Sequence, residues 1–382
     1  MKSQDIIVVG AGISGCVIAE RYSTVLHKHV LIIEKRDHVG GNCHDYINNI
    51  GILIPMHGPH FFHANSEAVW EYVNEFSDWI PYEHKVLSVT DGKLVPVPVN
   101  ITTVNKLFDL NIKTEEEMTE WLDKNTEKIE QPKNSEEAAL RRVGKALYEK
   151  MFKHYTKKQW DMWPIELDPS IMDRIPVRTN FDDRYFADKY QGMPKYGYTK
   201  MFEKMLDNGN ITVLLGKSWD DVKNKIPGFK KLFFTGPIDQ YFQYKFGEKL
   251  QYRSLRFEFE DYDSEFYQTA TTINFPFPDV PYTRITEIKH ATGQKSDKTT
   301  IIREYPAWEG EPYYPVLSDR NIRIYSRYKR EAQALEKEGV YFVGRMANYK
   351  YFNMDQAFEN AFGLFDKIER SYKKKRGMRK KK

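Results

Sequence analysis

The chain has 382 residues, of which 41% are hydrophobic and 29% charged, a composition typical of a globular protein with two or three domains. Its net charge of +4 comes from eight Lys and Arg residues within positions 373–382, and the rest of the chain has more acidic than basic residues. This distribution gives no support to nucleic-acid binding, and no apolar run has the length of a membrane span.

A strand, a glycine-rich loop, a helix and a second strand are predicted in the first 34 residues. The apolar run at 6–9 leads into a GxGxxG loop, a helical period follows, and the apolar run at 30–33 ends on Glu34. The glycines permit a tight turn, the approach of a pyrophosphate and close helix packing, and the N-terminus of the helix offers N–H groups to phosphate. Glu34 can accept both hydroxyls of an adenosine ribose, which disfavours NADP. We expect a bound dinucleotide, the alternative being an ordinary turn that uses glycine for packing.

A second glycine pair, Gly40-Gly41, follows this acid. Flavoproteins similar to glutathione reductase have such a pair because their chain folds back over the pyrophosphate, whereas nicotinamide dehydrogenases generally lack it. We therefore expect FAD as the cofactor, with a plain surface turn as the alternative. The predicted cofactor contacts in this part of the chain are Gly10, Gly12, Ile13, Ser14, Gly15, Glu34, Lys35, Gly41 and Asn42.

Three histidines spaced by three, His57, His60 and His63, follow the predicted FAD segment. Pro59 breaks a regular helix between them and the HExxH pattern is absent, so we expect loop residues with hydrogen bonds and no metal site.

The two cysteines of the chain have no CxxC spacing, which indicates a reducing compartment and hence a cytoplasmic protein.

The chain then changes from strands to helices and back. Residues 66–76 have a capped helical period, and residues 83–99 alternate as a hairpin does. Residues 101–161 are charged and helical except for a solvated linker at 125–135. Three prolines within 163–180 predict a long loop, of the kind that often forms a lid.

The last third of the chain mixes strands with a final helix. Residues 252–302 alternate as strands do, which predicts an antiparallel sheet that continues the hairpin, and the basic tail at 373–382 is expected to be disordered. The other predicted elements are a helix at 198–207, strands at 211–214 and 231–234 that return to the first domain, a buried strand at 340–345 and a helix at 355–372.

These elements predict an α/β protein that combines an FAD-binding Rossmann-like domain with a helical insertion domain and an antiparallel β-sheet domain. The predicted boundaries are 1–82, 187–240 and 325–382 for the FAD-binding domain, 100–186 for the helical domain with a mobile substrate loop, and 83–99 with 241–324 for the sheet domain.

Several strings between residues 58 and 345 resemble one known family, the UDP-galactopyranose mutases. They occur in the order expected for that family, and the resemblance covers nearly the whole chain. The matching strings are GPHFFH at 58–63, YTKKQW at 155–160, RIPVR at 174–178, DDRYF at 182–186, QGMPKYGY at 191–198, VPYTRITE at 280–287, PYYP at 312–315 and VGR at 343–345.

The resemblance implies that UDP-galactopyranose and UDP-galactofuranose are interconverted without net oxidation. Reduced FAD would attack the anomeric carbon of the sugar through its N5 atom, UDP would leave, and a flavin–sugar iminium would form before the ring recloses. The substrate would be a UDP-sugar, and the product would supply galactofuranose for surface polysaccharide. We also expect a homodimer.

The resemblance also implies roles for particular residues. Arg174 and Arg284 match two catalytic arginines that bind the diphosphate, for which a planar guanidinium is suited, and a surface salt bridge is the alternative for each. The other substrate-binding residues implied are Tyr155 and Trp160 for the uridine and sugar, Tyr185, Tyr313 and Tyr351 for the phosphates, and Arg253 and His60 near the site. The further FAD contacts implied are His60, Arg345, Met354 and Asp355. Asn353 stands where many bacterial members have an acid, so an acidic role there does not carry over.

Two other function classes share part of this pattern. An FAD-dependent oxidoreductase of the amine-oxidase or desaturase type would have the same N-terminal fingerprint but would not need two arginines for a diphosphate. A non-enzymatic nucleotide-binding or interaction protein would use the basic tail. Within the mutase reading, the sequence does not decide between a plain and an N-acetylated UDP-sugar.

Overall fold

The computed structural model describes residues 4–173 and 175–379, with side chains as far as residue 370. Most of its strands are short, which leaves many strand ends from which loops can reach a common cleft. The strands of this part of the chain are β1 Gln4–Val9, β2 Val30–Ile33, β3 Asp45–Ile47, β4 Leu53–Pro55, β5 Phe62–Ala64, β6 Trp79–Pro81, β7 Val86–Thr90, β8 Lys93–Pro96, β9 Tyr190–Pro194, β10 Ile211–Leu214, β11 Phe229–Phe234, β12 Tyr252–Tyr262, β13 Thr272–Asn274, β14 Arg284–Thr286, β15 Thr299–Ala307, β16 Tyr314–Pro315 and β17 Val340–Phe342.

Several α-helices, including α2, α3, α4 and α5, begin at a side chain that caps the helix, and α4 is an example. The Thr114 hydroxyl accepts a hydrogen bond from the backbone N–H of Glu117, and the Glu117 carboxylate accepts one from the backbone N–H of Thr114. The helices in the described residues are α1 Ile13–Glu20, α2 Glu67–Asn74, α3 Ile101–Phe108, α4 Glu115–Asn125, α5 Ser135–Leu147, α6 Lys153–Trp160, α7 Ser170–Asp173, α8 Tyr198–Leu206, α9 Trp219–Val222, α10 Ile238–Tyr241, α11 Lys289–Thr292, α12 Asp319–Leu335 and α13 Met354–Arg379.

A five-stranded parallel sheet with the order β10-β2-β1-β11-β17 forms the first layer. Its central strands are apolar on both faces because helices cover both sides, and Ile7 and Val8 are fully buried. The predicted strands at 6–9, 30–33, 211–214 and 231–234 all lie in this sheet, as does that at 340–345. The α/β class and the Rossmann-like arrangement predicted from the sequence are therefore confirmed.

A seven-stranded sheet with the order β16-β12-β15-β14-β13-β7-β8 contains the predicted hairpin, β7-β8, at one edge. The prediction of a purely antiparallel sheet is wrong, because β13 pairs with β7 in parallel. The long connection between these two strands allows either direction, whereas a tight turn allows only the antiparallel one. The alternation predicted over 252–302 is also interrupted, since α11 begins at Lys289 and the next strand, β15, begins only at Thr299.

Helices α3, α4, α5 and α7 pack around a second apolar core that includes Val104, Met118, Val143 and Leu147. The loop predicted at 163–180 is not wholly irregular, because α7 and a turn of 3-10 helix at Pro164–Glu166 lie within it.

The tail predicted to be disordered is helical as far as Arg379, since Lys and Arg are good helix formers and favour a helix C-terminus. The domain boundaries remain a prediction.

Candidate functional site

The loop between β1 and α1 has the conformation that its glycines predict. Gly10 has a φ of +102°, and a Cβ on Gly15 would lie 1.9 Å from the Gly10 carbonyl oxygen. Gly15 therefore permits close packing of α1 on β1 and does not line the cavity described below. Gly12, by contrast, lies on the wall of that cavity.

The second glycine pair packs directly against this loop. The backbone N–H of Gly40 donates to the Ala11 carbonyl at 2.8 Å, and a Cβ on Gly41 would lie 2.8 Å from Cα of Gly12. Gly41 also has a φ of +57°, which disfavours other residues. The two glycine segments thus form one cradle of bare backbone, suitable for a pyrophosphate.

Glu34 is buried directly after β2, and its carboxylate accepts two hydrogen bonds from backbone N–H groups. Oε2 accepts from the N–H of Ala11 at 2.7 Å, and Oε1 accepts from the N–H of Arg36 at 2.9 Å. The acid therefore holds the glycine loop in place as well as facing the predicted ribose position. Each carboxylate oxygen can accept a further hydrogen bond, so the two roles are compatible.

A cavity of about 300 Å³ lies at the carboxyl ends of the five parallel strands, where this type of sheet binds its ligands. Part of its wall was not predicted from the sequence, namely residues 217–220, residues 235–237 and Glu311. Glu311 forms an ion pair with Lys35, with Oε2 and Nζ 2.6 Å apart. The predicted cofactor residues on its walls are Gly10, Gly12, Ile13, Ser14, Glu34, Lys35, Gly41, Asn42, His60, Arg345 and Met354.

Asp355, like Gly15, is a predicted cofactor residue that does not line this cavity. It stands in the first turn of α13, and burial raises the pKa of its carboxyl group. One of its oxygens, Oδ1, is buried without a hydrogen-bond partner among the described residues. In this structure it neighbours His63 and Asp188 and does not face the glycine cradle.

A second cavity, of about 280 Å³, lies between the helices, the seven-stranded sheet and the loop at 57–63. Arg174 lies outside the described residues, so its prediction rests on the sequence alone. The structure brings most of the other predicted substrate residues together here, and those on the cavity wall are His60, Tyr155, Trp160, Tyr185, Arg284, Tyr313 and Tyr351.

Arg284 is the described arginine of the predicted diphosphate site. Its Nη2 lies 2.8 Å from Oε1 of Glu304, whose side chain is 3% exposed. Its Nε is buried and has no hydrogen-bond partner in the described part of the chain. Burial alone would lower the pKa of Arg284, but Glu304 and nearby tyrosines raise it, so the guanidinium stays charged. This geometry leaves a cationic N–H available for an anionic ligand.

Two aromatic rings form the wall beside this arginine. Tyr314 stacks on Tyr351 with ring centroids 5.4 Å apart, and the Arg345 guanidinium lies 5.2 Å from the centre of the Tyr351 ring. Burial raises the pKa of the Tyr314 hydroxyl, which therefore keeps its proton and can donate. Tyr314 was not predicted as a site residue, although it follows the predicted Tyr313 in the PYYP string at 312–315.

Arg253 does not line either cavity, although it was predicted near the substrate. It is 2% exposed, its Nε donates to the Gln159 carbonyl at 3.1 Å, and its guanidinium lies 4.4 Å from the centre of the Trp308 ring. These contacts fasten the C-terminal end of α6, which carries Trp160.

Lys158 fastens the same helix from its other side. Its ammonium nitrogen lies 2.6–2.9 Å from four backbone carbonyl oxygens that share its three N–H groups, and burial lowers the pKa of Lys158 to about 8. The four acceptors belong to the loop before β14 and are Phe275, Phe277, Val280 and Tyr282. The helix with Tyr155 and the strand with Arg284 are held together in this way, a role that sequence analysis missed.

The two cavities meet at residues that belong to both walls: His60, Arg345, Asn353 and Met354. His60 Nδ1 lies 2.9 Å from the Gly58 carbonyl oxygen, and burial together with the nearby Arg345 lowers the pKa of His60 to about 4, so the ring is neutral. A ring system bound at the end of the first cavity could therefore contact a molecule held in the second.

Other classes of site find no support in the described residues. Within 4–173 and 175–379, His, Cys, Asp and Glu side chains do not gather in threes that could bind a metal. The described helices also include none that is long and apolar enough to cross a membrane.

The fold and these cavities define a Rossmann-like nucleotide-binding protein whose first cavity opens onto a second that offers a cation to an anionic ligand. The comparisons agree: residues 8–76 match the NAD(P)-binding Rossmann-like domain, and residues 150–351 match the UDP-galactopyranose mutase domain. The chain belongs to the UDP-galactopyranose mutase family.

Curated relatives are similar over nearly the whole chain. The chain is 37% identical to a Klebsiella pneumoniae protein named "Probable UDP-galactopyranose mutase", with 96% of this chain and 95% of the relative covered. It is 36% identical to the dTDP-fucopyranose mutase of Escherichia coli, with coverage of 93% and 96%. A solved structure of reduced UDP-galactopyranose mutase matches with a TM-score of 0.77 at 15% identity, over 96% of this chain and 94% of that one, and shows the common fold.

Proposed function

We propose that this enzyme interconverts UDP-galactopyranose and UDP-galactofuranose with FAD in the first cavity, and that the FAD must be reduced. The observation that carries the proposal is the junction of the two cavities, with the glycine cradle at one end and Arg284 in the second cavity. An isomerase that uses its cofactor as a reagent needs this direct contact between cofactor and sugar.

The first cavity fits FAD on observations of the chain itself. A side chain on Gly41 would collide with the backbone of Gly12, so the cradle stays bare where a pyrophosphate would lie, and Glu34, on the wall of the same cavity, would face the ribose. When bound and reduced, FAD supplies a nucleophilic nitrogen for the anomeric carbon of the sugar. The protein therefore has no need of a catalytic pair of carboxylates.

The residues of the second cavity would bind and orient the nucleotide sugar. Arg284, together with Arg174, would hold the diphosphate and stabilise UDP as it departs, because its charge develops in that step. Tyr155 and Trp160 would hold the uridine and the sugar. Neutral His60 at the junction would bring no positive charge next to the reacting carbon.

The purified protein should be yellow and should convert UDP-galactofuranose only after chemical reduction of the flavin. Product formation is measured by chromatography with the oxidised and the reduced enzyme in parallel. Equal rates in both states, or a colourless protein, would contradict the proposal.

The similarity to a dTDP-fucopyranose mutase favours one specific second candidate. The same reduced enzyme should therefore be offered dTDP-fucopyranose and UDP-N-acetylgalactosamine beside UDP-galactose. A kcat/KM highest for a different nucleotide sugar would keep the reaction class and change the substrate. Membership of the mutase family argues against the amine-oxidase alternative.

A further inference from the structure

A chain of hydrogen bonds leads from the segment just before the second glycine pair to the hydroxyl group of Tyr313. His38 Nδ1 lies 3.1 Å from the Val39 carbonyl oxygen, and His38 Nε2 lies 3.2 Å from His57 Nε2. His57 Nδ1 in turn lies 3.3 Å from the Tyr313 hydroxyl. Tyr313 is 6% exposed and lies on the wall of the second cavity, as does His57.

The direction of every bond in this chain follows from its first member. A carbonyl oxygen only accepts, so His38 carries its proton on Nδ1 and its Nε2 is an acceptor when the ring is neutral. His57 must therefore donate from Nε2, which leaves its Nδ1 as an acceptor. Tyr313 must then donate its hydroxyl proton to His57.

The surroundings of His57 keep this direction in place. Burial, the guanidinium of Arg36 and the neighbouring rings of His38, His44 and His60 lower the pKa of His57 to about 3. The ring is therefore neutral near neutral pH, and Nδ1 keeps the lone pair that accepts from Tyr313. Burial also raises the pKa of Tyr313 to about 12, so its hydroxyl remains protonated.

We propose that His57, fixed by His38, is a positioning residue that makes Tyr313 a hydrogen-bond acceptor for a sugar hydroxyl of the nucleotide sugar. Since the proton of Tyr313 points to His57, its oxygen offers only lone pairs to the cavity. A phosphate oxygen also only accepts and is not bound by such a group, whereas a sugar hydroxyl can donate to it. This role differs from the phosphate contact that the family resemblance implies for Tyr313.

The diphosphate has other partners in the same cavity. Arg284 has an unpaired Nε, and Tyr314 lies next to it in the stack with Tyr351. Tyr314 also keeps its proton, and it is free of the histidine chain. The structure therefore separates two neighbouring tyrosines of one PYYP string into a sugar acceptor, Tyr313, and a diphosphate donor, Tyr314.

The inference rests on the proposed function, and ligand binding to the FAD-loaded protein tests it. Kd is measured by calorimetry for UDP, which has no sugar beyond the diphosphate, and for UDP-galactopyranose. Tyr313→Phe should weaken UDP-galactopyranose about 3- to 10-fold, as expected for one neutral hydrogen bond, and leave UDP unchanged. Tyr196→Phe, an exposed site away from both cavities, is the matched control.

Variants of His57 show whether it acts through Tyr313. His57→Phe should weaken the binding of UDP-galactopyranose to a similar extent. The double variant with Tyr313→Phe should have the same Kd for UDP-galactopyranose as Tyr313→Phe alone. His57→Gln should restore binding, because its amide can accept from Tyr313 and donate to His38. This conservative variant and Tyr313→Phe keep the test valid if His57→Phe does not fold.

Three results would overturn the inference: equal weakening of UDP and UDP-galactopyranose by Tyr313→Phe, no effect of His57→Phe, or additive effects in the double variant. If the unmodified protein binds UDP-galactopyranose and converts it, the proposed function stands whatever these variants do. If it binds neither ligand, the proposed function fails first and the inference fails with it.

Discussion

Replacement of Arg284 by alanine is expected to damage both catalysis and stability, for two separate reasons. The first is the loss of the cation proposed to face the diphosphate. The second is that Glu304, with a side chain 3% exposed, loses the partner that lies 2.8 Å away. A buried carboxylate left without its partner is costly, so the two effects must be separated by the choice of variants.

The expected magnitudes differ for the two effects. Removing a charged donor from a site where charge develops costs about 2–4 kcal/mol in transition-state stabilisation, or about 30- to 1000-fold in kcat/KM. Breaking a buried ion pair costs about 3–5 kcal/mol of stability. The Arg284 side chain is 28% exposed, so water can enter and we expect a loss of about 1–3 kcal/mol.

Two further variants divide these contributions. Arg284→Ala combined with Glu304→Gln removes the stranded charge, so it should regain most of the thermal stability but little of the activity. Arg284→Lys should recover only part of the activity, because a point charge cannot bind two oxygens as the planar guanidinium does. FAD content should stay unchanged in all of them, since Arg284 does not line the first cavity.

The assays are kcat/KM for UDP-galactofuranose with the reduced enzyme, the melting temperature and flavin absorbance. Near-normal kcat/KM in Arg284→Ala would contradict a role of Arg284 in binding the diphosphate. So would a double variant that regains activity in step with its melting temperature, because the lost activity would then be a consequence of misfolding.

Three further predictions concern the rest of the site. Gly41→Val should abolish FAD binding, seen as a colourless purified protein, because its side chain would collide with the backbone of Gly12, whereas Gly209→Ala, in open space, should stay yellow. Arg174→Ala should lower kcat/KM about 30- to 1000-fold without loss of flavin, and a change of less than a few-fold would favour a surface salt bridge. Burial and Arg284 lower the pKa of His84 to about 3 from 6.5, so below pH 6.5 the unfolded chain binds a proton that the folded protein excludes. The free energy of unfolding should therefore fall by up to about 1.4 kcal/mol per pH unit as the pH drops from 6.5 towards 3. Denaturant titrations should show a steeper fall in the unmodified protein than in His84→Phe, and an equal pH dependence in the two proteins would contradict the prediction.

The elements whose signals are local could be predicted from the sequence. The strand, glycine loop, helix and strand that end on Glu34 are continuous in the chain, and hydrophobic period and glycine spacing are sufficient to predict them. The same holds for the hairpin at β7 and β8 and for the capped helix α2, since their turns and caps lie within a few residues of the elements they define.

The residues around the second cavity were only partly predictable. Tyr155 and Trp160 fall on one helix, and a family resemblance was needed to distinguish them from core aromatics. Tyr314 and Glu304 had no signal of their own, because a tyrosine or a glutamate in a strand is ordinary until its partner is known. Arg253 shows the reverse error: a basic residue matched to the site fastens α6 and does not line the cavity.

Which segments of the chain meet became visible only in the folded structure. Gly41 approaches Gly12, Glu304 faces Arg284, and Lys158 reaches four carbonyls more than a hundred residues away. The parallel pairing of β13 with β7 and the junction of the two cavities at His60 and Arg345 are of the same kind. Side-chain period specifies which face of an element is buried, but it carries no information about the partner. That choice depends on packing and hydrogen bonding over the whole molecule.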